Sequence, residues 1–200
     1  DISAHVPEYI PKNIFKMSAS STEDVLFCLS SDVRNAIYVY KSYWGKEEKI
    51  QSSWSKWTFP AEDVVLGMEM IGTVLHMAVN RAGVLHLEKI NLQSGVKDSG
   101  MDFDVLLDSK VALTGVYDAG NAWTTWTLPY TYSGTIQVIM GSAFTAQVGS
   151  PVIGLTRPSG TTVRASGDYS AGVCHIGKPY TKRYGFSEFF MRDGNGVSIT

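Results

Sequence analysis

Two similar segments lie about 39 residues apart in the first half of the chain, and their spacing limits the folds that this half can adopt. The segments are Glu23-Asp24-Val25-Leu26 and Glu62-Asp63-Val64-Val65-Leu66. Each opens a series of short runs in which apolar and polar residues alternate, and turn residues separate the runs. This pattern predicts a repeated unit built from β-strands.

A strand-only repeat of about 40 residues is typical of the blades of a β-propeller, in which each small sheet buries its two faces against neighbouring sheets. We therefore interpret residues 23–98 as propeller blades, preceded by a connecting segment at 1–22 that contains Pro7, Pro11 and a serine-rich run. The alternative is a plain β-sandwich, in which the likeness of the two segments is accidental. The predicted strands lie at 24–29, 36–41, 50–54, 57–59, 64–70, 74–79 and 84–90.

An aromatic stretch separates the two units and holds three of the five tryptophans of the chain. It contains Trp44, Trp54, Trp57 and Phe59. Because successive side chains on a strand alternate between faces, Trp54 and Trp57 point to opposite faces and do not form one platform for a sugar ring. We interpret the stretch as a structural motif that is buried between adjoining sheets, since aromatic side chains contribute large apolar areas.

The composition changes near residue 98, where Ser94-Gly95 and Ser99-Gly100 mark a boundary. Short strands at a spacing of about ten residues follow, and they predict a second all-β domain at 99–200, a sandwich or a barrel-like fold. Because the chain opens without methionine and closes on a strand-like pattern, we expect this domain to be truncated and the chain to be a fragment. The predicted strands lie at 105–107, 111–113, 124–127, 135–140, 143–148, 152–155, 161–165 and 173–176.

The charge of the chain gives no bias toward nucleic acid or an anionic membrane, because the net charge is −2 and the pI is near 6.1. The densest basic stretch, Lys178 to Arg183, is typical of a solvated loop. No apolar run reaches the roughly 18 residues that a spanning helix needs, so we expect no membrane anchor. Cys28 and Cys174 are far apart and are interpreted as buried free thiols, and we expect no cofactor.

Candidate catalytic groups exist, but their spacing argues against a site. Cys174 and His175 are adjacent on a predicted strand and would point to opposite faces, which disfavours a nucleophile and base pair. Asp102 and Asp104 would share a face and permit a cation site or a glycosidase pair, although acids in this position are usually solvated turn residues. The four histidines show no metal-ligand spacing. We predict no catalytic and no metal-binding residue.

Other aromatic residues lie beside glycine-rich loops, and for these we expect exposure at an interface rather than burial between sheets. These are Trp123, Trp126 and Tyr130, to which we add Tyr180, as possible interface residues.

Several motifs resemble one family of phage proteins. They are Tyr38-Val39-Tyr40, the run from Lys49 to Trp57, Asn80-Arg81, Leu87-Glu88-Lys89, Leu107-Asp108-Ser109-Lys110, the run from Thr124 to Tyr130, and Gly177-Lys178-Pro179-Tyr180. The chain resembles the tail nozzle proteins, or tail tubular proteins B, of short-tailed phages of the Teseptimavirus and Autographivirus type. The motifs extend over almost the whole chain.

The resemblance implies a structural function in the virion tail and a protein much longer than this chain. Such proteins form a hexameric nozzle with β-propeller and platform domains around a channel for DNA. They lie below an adaptor ring, tail tubular protein A, and help to hold the tail fibres. DNA is expected to pass through the channel without specific binding, and the family brings no catalytic motif. The alternative from another functional class is a virion protein that binds glycans or degrades polysaccharides.

Overall fold

The computed structural model describes residues 6, 8–46, 48–184, 191–192 and 198–199. In this part of the chain all regular elements are β-strands, as the sequence predicted, and they form several separate sheets rather than a closed barrel. The chain divides into two compact units, Asp1–Val96 and Lys97–Thr200.

The first unit consists of two antiparallel meanders, which are sheets whose strands pair in chain order. The first sheet has the order β1-β2-β3-β4 and the second has the order β5-β6-β7. Their strands are β1 Ile14–Ser20, β2 Val25–Ser30, β3 Ala36–Trp44, β4 Lys49–Thr58, β5 Asp63–Ile71, β6 Val74–Arg81 and β7 Val84–Asn91.

One apolar layer joins the two sheets, because alternate residues of each sheet face the other. Phe27, Ile37, Leu75 and Val79 are all fully buried in this layer. Full burial of one such side chain contributes roughly 1.5–3 kcal/mol, so the layer is the main source of stability in this unit. Its buried members are Val25, Phe27, Leu29, Ile37, Val39, Val65, Met68, Leu75, Met77 and Val79.

Strands β1 and β5 lie side by side where the two sheets meet. The Ser18 hydroxyl donates to Glu69 Oε1 at 2.8 Å and accepts from the Met70 N–H, also at 2.8 Å. Lys16 adds an ion pair with Glu69. Ser18 is 5% exposed, so a buried hydroxyl bridges the two sheets and has its hydrogen bonds satisfied.

A charged cluster ends the apolar layer. Asp63 is 1% exposed and accepts from Arg81 Nε at 2.9 Å, while Arg81 Nη1 reaches Glu88 Oε1 at 2.8 Å. Asp63 and Arg81 are also opposite residues in the pairing of β5 with β6. By contrast, Asp24 in the first of the two similar segments is exposed and occupies a turn with φ of 49°. The two segments therefore differ in structure at their shared aspartate.

The predicted connecting segment at 1–22 needs a correction, because residues 14–20 form strand β1. Met17 on this strand is 61% exposed while Ser18 is buried, which reverses the usual relation between polarity and burial. The alternation of buried apolar and exposed polar residues that identifies a strand is therefore not visible in the sequence of β1.

The second unit is a sandwich of a four-stranded sheet, β12-β13-β10-β9, and a three-stranded sheet, β11-β14-β8. Side chains of both sheets share one core, in which Trp126, Val138, Val163 and Ile176 are at most 1% exposed. The strands are β8 Asp108–Thr114, β9 Val116–Asp118, β10 Trp123–Thr127, β11 Gln137–Met140, β12 Thr156–Ser159, β13 Thr162–Ser166 and β14 Val173–Lys178. A short pair, β15 Met191–Arg192 and β16 Ser198–Ile199, follows.

Three predicted strands of this unit are loops. Residues 105–107 lack strand pairing, and residues 143–148 form successive turns in which the Phe144 N–H donates to the Gly141 carbonyl. At 152–155 the only regular pairing nearby is the isolated bridge between Ile139 and Pro151. In the second and third of these segments, Phe144, Val152 and Leu155 contact the core without a neighbouring strand. Strands β9 and β12 were not predicted.

Trp57 and Trp44 have different environments, so we expect their replacement by alanine to lower the free energy of unfolding by different amounts. Trp57 packs on the apolar layer with its ring centroid 5.3 Å from that of Phe27, whereas Trp44 is 53% exposed. We expect Trp57→Ala to lower the free energy of unfolding by about 3 kcal/mol, the lower limit for a core aromatic. Trp44→Ala should change it by less than about 0.5 kcal/mol. Urea unfolding followed by circular dichroism measures both, and equal effects of the two changes would contradict the assignment.

Candidate interaction surfaces

The aromatic stretch runs from the end of β3 through β4 and serves both faces of the first sheet. Its expected burial is wrong for Trp44, which ends β3 and is 53% exposed. Trp57 lies on the face toward the second sheet, and Phe59 packs on the same apolar layer. Trp54 lies on the other face, where its ring centroid is 5.1 Å from that of Tyr40. The two indoles therefore form no common platform for a sugar ring.

The end of the β3–β4 hairpin carries exposed aromatic and apolar side chains. Tyr43 is 63% exposed, Trp44 53% and Ile50 60%. Their exposure makes this hairpin end a candidate contact surface, because tryptophan and tyrosine are enriched among the residues that dominate binding energies.

The predicted interface residues of the second unit separate into buried and accessible groups. Trp126 is 1% exposed and belongs to the core, so its place among the possible interface residues is corrected. Trp123, three residues earlier, lies on the opposite face of β10. Its ring is covered by the Arg164 guanidinium, whose carbon lies 3.9 Å from the ring centroid. This contact is a cation–π interaction, and it occupies a ring face that a sugar would need.

The two tyrosines named from the sequence also differ. The Tyr130 hydroxyl donates to the Ser109 carbonyl, which ties the loop after β10 to strand β8. Tyr180 follows β14 and is 41% exposed, with Lys182 Nζ 5.8 Å from its ring centroid. Tyr180 is therefore the more accessible of the pair.

A network around Asp98 includes Asp104, one of the two acidic residues that a hydrolase would need. Asp98 accepts from the Val105 N–H at 2.6 Å and from Lys110 Nζ at 2.9 Å, and Asp104 accepts from the same ammonium at 2.7 Å. Burial alone would raise the pKa of Asp98, but the bonds from Val105 and Lys110 outweigh it and lower this pKa. Asp102 is exposed. Asp104 is thus an ion-pair partner of Lys110.

Cys174 and His175 face opposite sides of β14. Cys174 lies in the core of the sandwich, and burial raises the pKa of its thiol to about 11. His175 is 5% exposed, and its Nδ1 lies 3.6 Å from Asp98 Oδ1 on the other side of the sheet. A thiol with this pKa is protonated at neutral pH and is a poor nucleophile.

Among the described residues, no group of three His, Cys, Asp or Glu side chains is placed to hold a metal ion. A shallow groove of about 340 Å³ lies on the first unit beside the turn between β1 and β2. Asp24 and Tyr40 are the titratable residues in its lining. The described part of the chain has no helix with the length and apolarity needed to cross a membrane.

Sequence reasoning missed one surface, the outer face of the β5–β7 sheet. On this face Leu66 is 43% exposed, Leu85 60% and Leu87 84%. Leu85 and Leu87 alternate with His86 and Glu88. This pattern predicted a strand, but it did not predict which face of the sheet is exposed. The surface could have been predicted from the strand pattern itself, because β5 and β7 carry apolar residues on both faces.

Comparison with known proteins identifies the family. A family model described as the bacteriophage nozzle protein matches residues 1–200. The chain belongs to the bacteriophage nozzle protein family. It is also 27% identical over 201 residues to a curated relative, the tail tubular protein gp12 of Escherichia phage T7. The match covers 96% of this chain and 25% of the relative, so the chain spans about a quarter of the relative's length.

The family assignment confirms the class of function predicted from the sequence. Nozzle and tail tubular proteins are structural components of the virion tail and not enzymes. A glycan-binding or polysaccharide-degrading function is not favoured, in agreement with the covered Trp123 ring and the ion-paired Asp104.

The Asp98 network predicts a pH dependence of stability. Because the folded-state pKa of Asp98 is lowered, its contribution is present above the unfolded-state pKa of about 3.9 and is lost as the pH falls through the folded-state value. We expect Asp98→Asn to lower the free energy of unfolding at pH 7 by about 1.5–3 kcal/mol, the range for hydrogen bonds to charged groups. The difference from the wild type should shrink below pH 4.

Urea unfolding at a series of pH values measures this difference. Asp102→Asn, which changes an exposed acid of the same loop, is the matched control and should leave the stability unchanged at every pH. A constant difference between Asp98→Asn and the wild type from pH 7 to pH 2 would contradict the assignment.

Proposed function

We propose that the complete protein forms the nozzle of a phage tail, a ring of six copies around a channel through which DNA leaves the virion. The match to the nozzle family over residues 1–200 carries this proposal. The similarity to a tail tubular protein of Escherichia phage T7 supports it. The neighbours of the ring are an adaptor, tail tubular protein A, and the tail fibre proteins.

The first unit supports a propeller within this nozzle. Its two sheets are antiparallel meanders that follow each other in the chain and share one apolar layer, which is how consecutive blades pack. The neighbouring strands β1 and β5 are the first strands of their sheets, and the first strands of successive blades line the axis of a propeller. We therefore propose residues 23–98, together with β1, as blades.

The second unit is proposed as the docking domain, at 99–200. Trp123, stacked under Arg164, and the exposed Tyr180 provide the residue types that dominate binding energies at interfaces. The net charge of −2 fits a protein that lets DNA pass without a strong electrostatic grip, since binding to DNA depends on the neutralisation of its phosphates.

Electron microscopy of the purified complete protein tests the assembly. We expect rings with sixfold symmetry and an open axial channel. A protein that stays monomeric at all concentrations, alone and with its adaptor, would overturn the proposal.

The docking role predicts a selective loss of partner binding. Trp123→Ala and Tyr180→Ala should each weaken the affinity for an adaptor or fibre protein by about tenfold or more, while the protein still folds. Phe15→Ala, in the first unit and 47% exposed, is the control and should bind normally. Surface plasmon resonance with purified tail proteins measures the affinities. Unchanged binding to both partners would remove the two residues from the interface.

A further inference from the structure

A guanidinium lies in the middle of the outer face of the four-stranded sheet β12-β13-β10-β9. Arg164 on β13 is opposite Thr125 of β10 and opposite Thr156 of β12 in the strand pairing. Because paired residues project from the same face of a sheet, these three side chains share one face. Val163 and Ala165, on either side of Arg164 in the chain, are buried in the core of the sandwich. Arg164 is therefore on the face away from the core.

Two contacts fix the position of this guanidinium. Its carbon lies 3.9 Å from the centroid of the Trp123 ring, and its Nε donates to Thr125 Oγ1 at 3.3 Å. The amino groups Nη1 and Nη2 have no acceptor within the described part of the chain, and neither is shut off from solvent. Arg164 is therefore held in place with two donors unused.

The acid that shares this face is occupied by its own turn. Asp118 is the only acidic residue of the four strands, and it lies opposite Trp123 in the pairing of β9 with β10. Its Oδ1 accepts from the Gly120 N–H at 3.0 Å, and its Oδ2 accepts from Asn121 Nδ2 at 2.7 Å. The Asp118 carboxylate thus completes the turn between β9 and β10 and forms no ion pair with Arg164.

The second arginine of the sheet shows what a purely structural guanidinium does here. Arg157 on β12 donates from Nη1 to the Gly134 carbonyl at 2.7 Å and from Nη2 to the Tyr132 carbonyl. Both of its amino groups are used to hold the loop before β11. Arg164 belongs to the same sheet and makes no such bonds to a loop, so its two amino groups are available to a group from outside this part of the chain.

The surroundings of Arg164 fit a single carboxylate. Thr125, Thr156, Thr162 and Ser166 flank it on the same face, and each can donate a hydrogen bond from its hydroxyl. A carboxylate is planar and accepts two parallel bonds from a guanidinium, which a hydroxyl-rich surface can supplement. Duplex DNA instead needs several cations to neutralise its phosphates. The strands of this sheet offer one such cation, beside a carboxylate, so a carboxylate fits better than a track of phosphates.

We propose that Arg164 receives an aspartate or glutamate side chain of a neighbouring tail protein, bound through Nη1 and Nη2. The proposal rests on the docking role of the second unit in the proposed function, and it adds the chemical class of the partner residue. Trp123 and Thr125 already hold the guanidinium in place, so less conformational entropy is lost when the partner binds.

Replacement of the guanidinium by an uncharged side chain tests the contact. Arg164→Met in the complete protein keeps an apolar stem over Trp123 and removes both donors. It should weaken the affinity for the adaptor or the tail fibre protein by about thirtyfold or more, the effect of truncating one member of a shielded charge pair. Lys56→Met, the same charge change at an exposed residue of the first unit, is the control and should bind normally. Surface plasmon resonance measures the affinities. Normal binding of Arg164→Met to both partners overturns the proposal.

Charge reversal with rescue guards against a variant that merely misfolds. Arg164→Glu should abolish binding, because it places like charges against each other. Single replacement of the surface acids of the partner by lysine should then identify one change that restores at least tenfold of the lost affinity. If no surface acid of either partner restores binding to Arg164→Glu, the proposal is overturned.

The remaining outcomes separate this inference from DNA binding and from the nozzle itself. If Arg164→Met weakens binding to duplex DNA but not to the two proteins, the guanidinium serves a phosphate and the proposal is overturned. Sixfold rings that bind their partners through Trp123 but independently of Arg164 would keep the proposed function and reject the carboxylate contact. Binding that depends on Arg164 in a protein that forms no sixfold ring would support the contact and remove the nozzle assembly.

Discussion

The apolar layer between the first two sheets is the interaction on which the first unit depends. It exists because strands alternate their side chains, so that a meander rich in Val, Leu, Ile and Met presents one continuous apolar face. Phe27 and Ile37 from the first sheet meet Leu75 and Val79 from the second, and Trp57 closes the layer at one side. The Ser18 and Glu69 contacts hold the strands together where the sheets meet.

The alternation of side chains between the two faces of a strand also explains which features could be predicted from the sequence. It predicted the all-β class and most strands, and it separated Trp54 from Trp57 because their spacing places them on opposite faces. It could not decide which of Trp123 and Trp126 is buried, since the same spacing sends one inward and leaves the other outside. Strand β1 was missed because its two buried residues are the serines Ser18 and Ser20, and the bonding partners of Ser18 lie more than fifty residues away.

The network around Asp98 shows a second limit. Its members come from a loop, from β8 and from β14, and only the pairing of β8 with β14 brings His175 near Asp98. No local pattern marks such a cluster. For a structural tail protein this is the expected outcome, because the residues that matter are distributed over packing layers and surfaces rather than gathered in a motif. Function was therefore accessible through family resemblance, while the contact surfaces required the fold.

The ion pair between Asp63 and Arg81 has a consequence for the uniqueness of the fold. In the β5–β6 hairpin a slip by one residue would exchange the faces and carry Glu69, His76 and Asn80 into the apolar layer. That slip would remove the guanidinium from a carboxylate that is shielded from solvent, and an unpaired buried charge is strongly unfavourable. A single charged pair at the open end of the hairpin thus acts as a register lock. It adds to the apolar pattern in giving the ribbon one orientation, and it helps to ensure that the same side of the ribbon is available in every copy of the protein.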